Sequence, residues 1–286
     1  MRVCKDWKNY SLIATNNGEK LEEWGPYTLL RPDPQVIWNR SEVALEKTLS
    51  LHAHYKRSST GGGQWETFKK MKDEWTINWK DLTFSVKLMG FKHTGIFPEQ
   101  AYNWERMMQK IASAGKQIKV LNLFGYTGGA SVACAKAGAQ VTHVDASKGM
   151  CERLRENMKL SNLQDSPVRT IVDDCEKFVE REIRRGNKYD AIIMDPPSYG
   201  RGPKGEIWKI EEKIYDFVKL TSQVLTDQPL FVLINSYTTG LQPQVMKNIS
   251  QLAFKSLFKN FDSYEIGIEG KDGIVLPCGA SCFSEN

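Results

Sequence analysis

The sequence lacks any apolar run as long as the about 18 residues that a membrane-spanning helix requires. Its first residues, 1–12, also lack the apolar core and the small-residue cleavage site of a secretory signal. We therefore expect no membrane span and no membrane partner, and we expect a cytoplasmic protein.

Cysteine and histidine are scarce, and none of the six cysteines stands in a C-x-x-C pair. The four histidines show no ligand-type spacing with Cys278 and Cys282, so we expect no metal centre. Reduced, structural thiols are the expectation for the whole set, which is Cys4, Cys134, Cys151, Cys175, Cys278 and Cys282.

Positive charge is in small excess. The chain of 286 residues has 39 Lys+Arg against 34 Asp+Glu, a net charge of +5, which permits an anionic partner such as RNA without requiring one. Hydrophobic residues make up 41% of the sequence, enough for a large core, which excludes a disordered chain. This length favours one main domain with a smaller one beside it.

From Lys119 onward, short apolar runs alternate with amphipathic stretches. This alternation predicts an α/β fold with a Rossmann-like, doubly wound, mostly parallel sheet. The predicted strands are residues 119–124, 140–145, 168–172, 189–194 and 229–235. The predicted helices are residues 130–137, 148–160, 175–185 and 209–225. Residues 263–268 and 278–283 predict an antiparallel pair that closes the sheet edge.

Residues 1–90 have a different pattern, which predicts a small β-rich domain before an α/β domain at 91–286. Short segments joined by Asn-Asn-Gly and Gly-Pro turns predict strands at 10–15, 20–24 and 27–31. Residues 75–79 and 82–88 predict a hairpin around Lys80 and Asp81. The Gly- and Ser-rich stretch 58–63 is predicted to be a loop within this domain. The domain is a candidate RNA-binding appendage.

A glycine-rich turn, NLFGYTGG at 122–129, follows the first strand of the predicted sheet and opens a helix. Glycine lets backbone approach a ligand, so this turn is a candidate cofactor loop, although a tight turn that only packs helix on strand is the alternative. Asp145 ends the next strand, twenty residues after Gly125 (145 − 125 = 20), where a carboxylate can receive two ribose hydroxyls. The spacing Gly125-x-x-Gly128 is not G-x-G-x-x-G, which disfavours a dinucleotide-binding dehydrogenase.

Acids also follow the third and fourth predicted strands. Asp174 lies where it could meet an adenine amino group, or it could cap the following helix. Asp195 opens the motif DPPSY at 195–199, in which two prolines stop the strand and leave carbonyls unpaired beside an acid and an aromatic ring. A plain strand-terminating turn is the alternative.

The next residues, GRGPKGEIWK at 200–209, interleave cations with glycine and Trp208. Arg201, Lys204 and Lys209 could hold the phosphates of a nucleic acid, while the tryptophan could stack a base. A solvated loop with ordinary lysines is the alternative.

Together, the motifs at 122–129 and 195–199, with Asp145 and Asp174 between them, resemble the class I S-adenosylmethionine-dependent methyltransferases. Within this family the chain is similar to the large-subunit ribosomal RNA methyltransferases. The similarity runs from about residue 91 onward and includes GIFPEQAYNW at 95–104. The resemblance implies the class I methyltransferase fold, S-adenosyl-L-methionine as cofactor and ribosomal RNA as the first candidate acceptor.

The resemblance also implies roles for individual residues. The turn around Gly125 would hold the methionine end, Asp145 the ribose hydroxyls and Asp174 the adenine N6. The implied cofactor-binding residues are Phe124, Gly125, Tyr126, Thr127, Gly128, Asp145, Ala146, Asp174, Cys175 and Asp195. The implied catalytic residues are Asp195, Pro196 through its carbonyl, and Tyr199. The expected substrate-binding residues are Tyr199, Arg201, Lys204 and Lys209.

A base lifted from RNA could stack on Tyr199, so we expect base methylation in structured RNA. Cysteine-dependent members of this branch carry their nucleophile after the fifth strand, where this chain reads NSYTT at 235–239. We therefore expect no covalent cysteine intermediate. Ser198 separates the prolines from the aromatic ring, which leaves the acceptor atom open. The alternatives are a methyltransferase for a protein or small molecule, and a non-enzymatic RNA-binding module with a vestigial pocket.

Overall fold

The computed structural model describes residues 1–48, 50–58, 62–201, 207–238 and 240–286. The chain divides into two compact units. The α/β unit comprises Met1–Arg2, Tyr102–Ile266 and Cys278–Asn286, and the N-terminal unit comprises Val3–Ala101 and Gly267–Pro277. This division differs from the boundary that we expected at residues 90 and 91, because the N-terminal unit extends further and recovers a segment from near the C-terminus.

An eight-stranded sheet is the centre of the α/β fold. Its strands, in sheet order, are β1 (Arg2–Val3), β16 (Asn260–Glu269), β17 (Val275–Glu285), β15 (Phe231–Ser236), β12 (Ala191–Met194), β9 (Lys119–Leu123), β10 (Gln140–Asp145) and β11 (Val168–Val172). The five strands from β15 to β11 are parallel, and β17 is antiparallel to β15. The helices are α1 (Ala101–Ala112), α2 (Gly129–Lys136), α3 (Lys148–Leu160), α4 (Cys175–Arg185), α5 (Ile210–Thr221) and α6 (Pro243–Phe254).

Burial explains the sequence of the central strands. All four residues of β12 and all six of β15 are buried, as expected for strands covered by helices on both faces. Local signals set the ends of α4, because Asp174 caps its start and Gly186 takes the left-handed conformation just past its end. Within the described residues, no helix combines the length and apolar character needed to cross a membrane.

The doubly wound, mostly parallel sheet predicted from the sequence is confirmed. The predicted edge pair corresponds to β16 and β17, with the short β1 outside it. Helices α1 and α6 were not among the predicted helices, and the segment 200–209 is not simply a loop. It contributes to a hairpin of β13 (Tyr199–Arg201) and β14 (Ile207–Lys209). Because Lys209 pairs with Tyr199 in this hairpin, α5 starts one residue later than predicted.

The N-terminal unit is β-rich, as predicted. A five-stranded sheet contains β2 (Tyr10–Asn16), β3 (Glu19–Trp24), β4 (Tyr27–Pro32), β5 (Leu51–Arg57) and β6 (Gly63–Thr67), and a hairpin contains β7 (Trp75–Trp79) and β8 (Leu82–Val86). The turn between β2 and β3 has positive φ at Asn17 (48°) and Gly18 (81°), the backbone that two-residue hairpins require. The sequence analysis missed β5 and β6, and part of the loop predicted between them, residues 59–61, lies outside the described residues.

Charged side chains lie inside the N-terminal unit and pair with one another. Glu22 is fully buried, and Arg31 donates to its two carboxylate oxygens at 2.6 and 2.9 Å. The Tyr10 hydroxyl donates to the same carboxylate at 2.9 Å, and the Lys20 ammonium lies 3.1 Å from the Asp33 carboxylate. Burial raises the pKa of Glu22, but Arg31 and Lys20 more than offset that effect and bring it down to about 2.

The segment recovered from near the C-terminus is bound to the N-terminal unit by backbone and ionic contacts. The Lys271 backbone N–H donates to the Leu12 carbonyl at 2.9 Å. The Lys271 ammonium lies 2.5 Å from the Glu23 carboxylate, and Arg40 lies 2.5 Å from the Asp272 carboxylate. The N-terminal unit is therefore built from two separate stretches of the chain.

Candidate active site

Four adjacent parallel strands, β11, β10, β9 and β12, end at the same edge of the sheet. In register, Asp145 pairs with Val172, and both Val144 and Met194 pair with Leu123. The segments that follow these strands therefore emerge side by side. The strand order reverses between β9 and β12, and in such sheets ligands bind in the crevice at the point of reversal. The glycine-rich loop and the predicted acids thus meet at one edge.

The loop after β9 has an unusual backbone. Phe124 and Tyr126 have φ values of 56° and 52°, and Gly128 has a φ of 86°. Each non-glycine residue in this region costs about 1 to 3 kcal/mol and persists only where its surroundings enforce it. The enforcing contacts include the Gly125 N–H, which donates to the Val144 carbonyl at 3.0 Å, and the Gly128 N–H, which donates to the Gly125 carbonyl at 3.0 Å.

Packing accounts for both glycines of this loop. A Cβ on Gly125 would lie 2.2 Å from the His143 ring, and a Cβ on Gly128 would lie 2.2 Å from the Leu154 side chain. The alternative interpretation, a tight turn that packs helix on strand, therefore accounts for Gly125 and Gly128. The case for a ligand depends instead on the strained backbone and on the acids beside it.

Beneath the loop lies a buried polar network that the sequence analysis missed. Nδ1 of His143 lies 2.9 Å from the Ser131 hydroxyl, which also accepts a hydrogen bond from Asn122 at 2.9 Å. Asn157 donates to the carbonyl of the buried Thr127 at 2.9 Å. Burial lowers the pKa of His143 to about 4, so the ring is neutral at physiological pH. The signal that could have revealed it was a histidine between Val141 and Val144, in a strand predicted to be covered by helices.

Asp145 is held by the backbone on both sides. One carboxylate oxygen accepts the Tyr126 N–H at 2.8 Å, and the other accepts the Ser147 N–H at 2.8 Å. Burial raises the pKa of Asp145, and these two hydrogen bonds counteract the rise. Each oxygen of an ionised carboxylate has a second acceptor site, so both can still receive a ribose hydroxyl. Ala146, the next residue, is exposed.

Asp174 caps α4, because one of its carboxylate oxygens accepts the Lys177 N–H at 2.9 Å. The structural alternative for this residue is thus confirmed, and contact with an adenine amino group through the second oxygen stays a prediction. The neighbouring Asp173 has a different role, since its carboxylate pairs with the Arg181 guanidinium.

The cysteines are free thiols, and five of the six are buried. Cys175 accepts the Phe124 N–H at 3.2 Å through its sulfur, so only its backbone could face a cofactor. Burial raises the pKa of Cys134 to about 12 and also raises the pKa of Cys151 and Cys282. Thiols with raised pKa values are poor nucleophiles at neutral pH.

The DPPSY motif begins directly after β12. Asp195 is half-buried, Pro196 is buried, and the Tyr199 ring is 51% exposed. The Pro197 carbonyl accepts a hydrogen bond from the Trp208 indole N–H at 2.7 Å. This hydrogen bond connects the motif to β14, the second strand of the following hairpin. A turn that only ended the strand would not require such a contact.

The predicted phosphate-binding cations have different outcomes. Arg201 lies in β13, but its side chain is outside the described part of the structure, as is the whole of Lys204. The Lys209 ammonium lies 2.9 Å from the Glu212 carboxylate, and this contact raises its pKa. Its binding of a phosphate stays a prediction, and it would require exchange of this surface ion pair.

The donors and acceptors at this edge fit a nucleoside with a charged amino-acid tail. Asp145 and the second oxygen of Asp174 offer acceptors for hydroxyl and amino groups. At the start of α2, Gly128 supplies no capping side chain, and a helix start of this kind attracts a carboxylate. Among the described residues, no group of three or more His, Cys, Asp or Glu side chains is placed to hold a metal ion.

Comparison with known proteins identifies one family. A family model described as S-adenosylmethionine-dependent methyltransferase matches residues 28–235. The chain is also similar to a crystallised SAM-dependent methyltransferase from Agrobacterium tumefaciens, with a TM-score of 0.92, 32% identity, and coverage of 99% of this chain and 92% of that one. This structural match extends over both units.

Curated relatives have more specific names. A putative ribosomal RNA large subunit methyltransferase from Methanocaldococcus jannaschii is 35% identical over 243 residues, which are 85% of this chain and 61% of that protein. The ribosomal RNA large subunit methyltransferase K/L of Colwellia psychrerythraea is 31% identical over 173 residues, which are 60% of this chain and 23% of that protein. The chain thus spans less than two thirds of the length of either relative.

Proposed function

The chain belongs to the S-adenosylmethionine-dependent methyltransferase family, and from that premise we propose that it methylates a base in structured RNA, with ribosomal RNA as the first candidate. The family's cofactor is S-adenosyl-L-methionine. The observation that carries the proposal is the placement of the glycine-rich loop and the DPPSY motif on the two sides of the strand-order reversal. The names of the curated relatives support RNA as the acceptor.

On the cofactor side, each contact follows from the acceptors that are present. Asp145 would receive the two ribose hydroxyls through the free acceptor sites of its oxygens. The second oxygen of Asp174 would receive the adenine amino group, and the turn from Phe124 to Gly128 would hold the methionine end. When bound, the cofactor supplies an electrophilic methyl group. The protein's contribution is then to position a nucleophile about 3 to 3.5 Å from it and in line.

On the acceptor side, three groups of the DPPSY motif have suitable chemistry. The exposed Tyr199 ring offers a face on which an unpaired base can stack. Asp195 and the Pro196 carbonyl are hydrogen-bond acceptors that would orient the atom to be methylated, and the Asp195 carboxylate would receive the proton that it loses. No cysteine takes part in this proposal, which agrees with the burial of the thiols.

We also propose that the N-terminal unit contacts the RNA and that the protein acts in the cytoplasm. The support for the RNA contact is a run of exposed residues just after β6. Phe68 is 50% exposed and is followed by the exposed Lys69 and Lys70. An aromatic ring beside cations matches the contacts that single-stranded nucleic acid makes, namely stacking and phosphate pairing.

The deciding experiment compares nucleosides from ribosomal RNA of a strain with the gene and a strain without it, by mass spectrometry. The proposal predicts that one methylated nucleoside disappears and returns when the wild-type gene is restored. Restoring Asp195→Ala should not bring it back. Unchanged RNA, together with methylation of a protein or a small molecule by the purified enzyme, would replace RNA with that acceptor.

A further inference from the structure

Trp208 makes contacts on both sides of the proposed active site. Its indole N–H donates to the Pro197 carbonyl of the DPPSY motif at 2.7 Å. Its ring lies 5.2 Å, centroid to centroid, from the ring of Phe124, the first residue of the cofactor loop. The sequence analysis considered this residue only as a ring on which a base could stack, whereas the structure gives it two other partners.

The ring contacts of Trp208 are fixed from behind. Phe217 of α5 is buried and lies 5.6 Å from Trp208 and 5.4 Å from Phe124, with an edge-to-face arrangement in both pairs. Aromatic rings at these distances and angles attract one another. Phe124 also has the left-handed backbone described above, so a change of the loop backbone would move its ring against Trp208.

The hydrogen bond of Trp208 holds a part of the motif that has no backbone N–H groups, at Pro196 and Pro197. Two consecutive prolines have no N–H, so this part of the chain can be held only through its carbonyls and side chains. The Pro197 carbonyl is held by Trp208, and the next carbonyl, of Ser198, accepts the Ile210 N–H at 3.1 Å. The Ser198 hydroxyl lies 2.6 Å from the Thr238 hydroxyl.

We infer that Trp208 is a positioning residue that couples the cofactor loop to the acceptor motif. This inference rests on the proposed function, because it assumes that the cofactor binds the loop at Phe124. Cofactor binding would fix the Phe124 ring, the ring would fix Trp208, and the indole N–H would hold Pro197 so that the neighbouring Asp195 and Pro196 carbonyl face the acceptor. Such coupling is reciprocal. If the cofactor tightens acceptor binding by a given factor, the acceptor should tighten cofactor binding by the same factor.

The test needs no knowledge of the acceptor. Tyrosines are labelled with fluorine, Tyr199→Phe assigns the Tyr199 resonance, and S-adenosylhomocysteine is added while the resonance and the binding affinity are recorded. Trp208→Phe removes the N–H and keeps a ring. Trp65→Phe is the matched control, because the half-buried Trp65 also donates its indole N–H to a backbone carbonyl, that of Met89 at 2.8 Å.

We expect S-adenosylhomocysteine to shift the Tyr199 resonance in the wild type and in Trp65→Phe, and to shift it less than half as far in Trp208→Phe at full occupancy. The affinity for S-adenosylhomocysteine should stay within about threefold, because loss of one hydrogen bond outside the pocket changes binding little. An equal shift in Trp208→Phe, or no shift in a wild type that binds the ligand, would overturn the coupling. No binding by the wild type would instead overturn the proposed function.

Turnover supplies the second readout once a methylated RNA is known. Trp208→Phe should lower kcat about tenfold, the upper range for one hydrogen bond, while the KM for the cofactor stays near the wild-type value. Trp208→Leu, which also removes the ring contact with Phe124, should lower both kcat and cofactor affinity. Equal kcat in Trp208→Phe and the wild type would show that the indole N–H does not position the motif.

Discussion

Two carboxylates of this protein, one in each unit, are held in different ways. In the N-terminal unit, Glu22 pairs with Arg31 and Lys20 pairs with Asp33, so these buried charges face opposite charges. At the edge of the α/β sheet, Asp145 is held instead by two backbone N–H groups. A carboxylate paired with a buried cation is neutralised by that partner and stabilises the fold. A carboxylate held by neutral N–H donors keeps its negative charge and part of its acceptor capacity for a ligand.

The largest expected effect comes from breaking the buried ion pair between Arg31 and Glu22. Arg31→Met would leave Glu22 fully buried without its bidentate partner, and we expect a loss of about 3 to 5 kcal/mol of unfolding free energy in urea denaturation. The double variant Glu22→Leu with Arg31→Met removes both charges and should recover much of that loss. If the double variant is as unstable as the single one, packing and not charge explains the effect.

The same pair gives a pH dependence with a defined sign. The pKa of Glu22 falls from 4.5 to about 2 on folding, so its contribution to stability is fully present above pH 4.5 and is lost as the pH falls toward 2. Arg31→Met should flatten this part of the stability curve, because the guanidinium is the strongest influence that lowers the pKa. If the stability of the wild type increases as the pH falls from 4.5 to 3, the lowered pKa of Glu22 is contradicted.

The second-largest effect is expected at Asp145, the carboxylate held by backbone N–H groups. Asp145→Ala should weaken S-adenosylhomocysteine binding by about 1.5 to 3 kcal/mol in calorimetry, the range for hydrogen bonds to a charged group. Asp216→Ala, which removes an exposed acid from α5, is the control and should bind normally. Normal affinity in a folded Asp145→Ala protein would mean that the cofactor pocket lies elsewhere.

A smaller effect is expected at the acceptor motif. Tyr199→Ala should reduce kcat/KM for RNA by an amount that corresponds to about 1 to 3 kcal/mol, the range for stacking of one base, and should leave cofactor affinity nearly unchanged. Tyr199→Phe keeps the ring and should behave almost like the wild type. If Phe is as poor as Ala, the hydroxyl and not the ring is what the acceptor needs.

The smallest effect is expected at the cysteines. Changing each cysteine to serine, one at a time, should leave methyl transfer in the folded protein, because none is proposed as a nucleophile and burial raises the pKa of most of them. Cys175→Ser is the most demanding case, since its sulfur accepts the Phe124 N–H. A covalent adduct between the protein and RNA that contains 5-fluorocytosine would refute this prediction.

The sequence was sufficient for the parallel sheet because its central strands are buried on both faces. Continuous apolar runs such as those of β12 and β15 can be recognised without knowledge of their partners. The acids were also predictable in position, since each lies at or just after the end of a predicted strand. What they contact was not, because the hydrogen bonds of Asp145 depend on how two loops approach each other.

Some of the missed elements lack that local signal. Strand β6 is mostly exposed, so no alternation of buried and exposed residues marks it. Strands β13 and β14 have three residues each and were predicted as part of a cationic loop. The role of His143 beneath Gly125 appears only in the folded structure, because its ring contacts Ser131 of α2 and lies against Gly125 in the loop after β9. Local patterns predicted elements here, and tertiary contacts determined the details of the site.

The chain crosses between its two units four times, after Arg2, Ala101, Ile266 and Pro277. A single cut therefore cannot release the N-terminal unit whole, since a fragment that ends at Ala101 would lack Lys271 and Asp272, the partners of Glu23 and Arg40. By the same connectivity, one recombination event could neither add nor remove this unit intact. Exchange of this unit alone between related genes would require crossovers at the ends of both stretches, which are the four junctions named above.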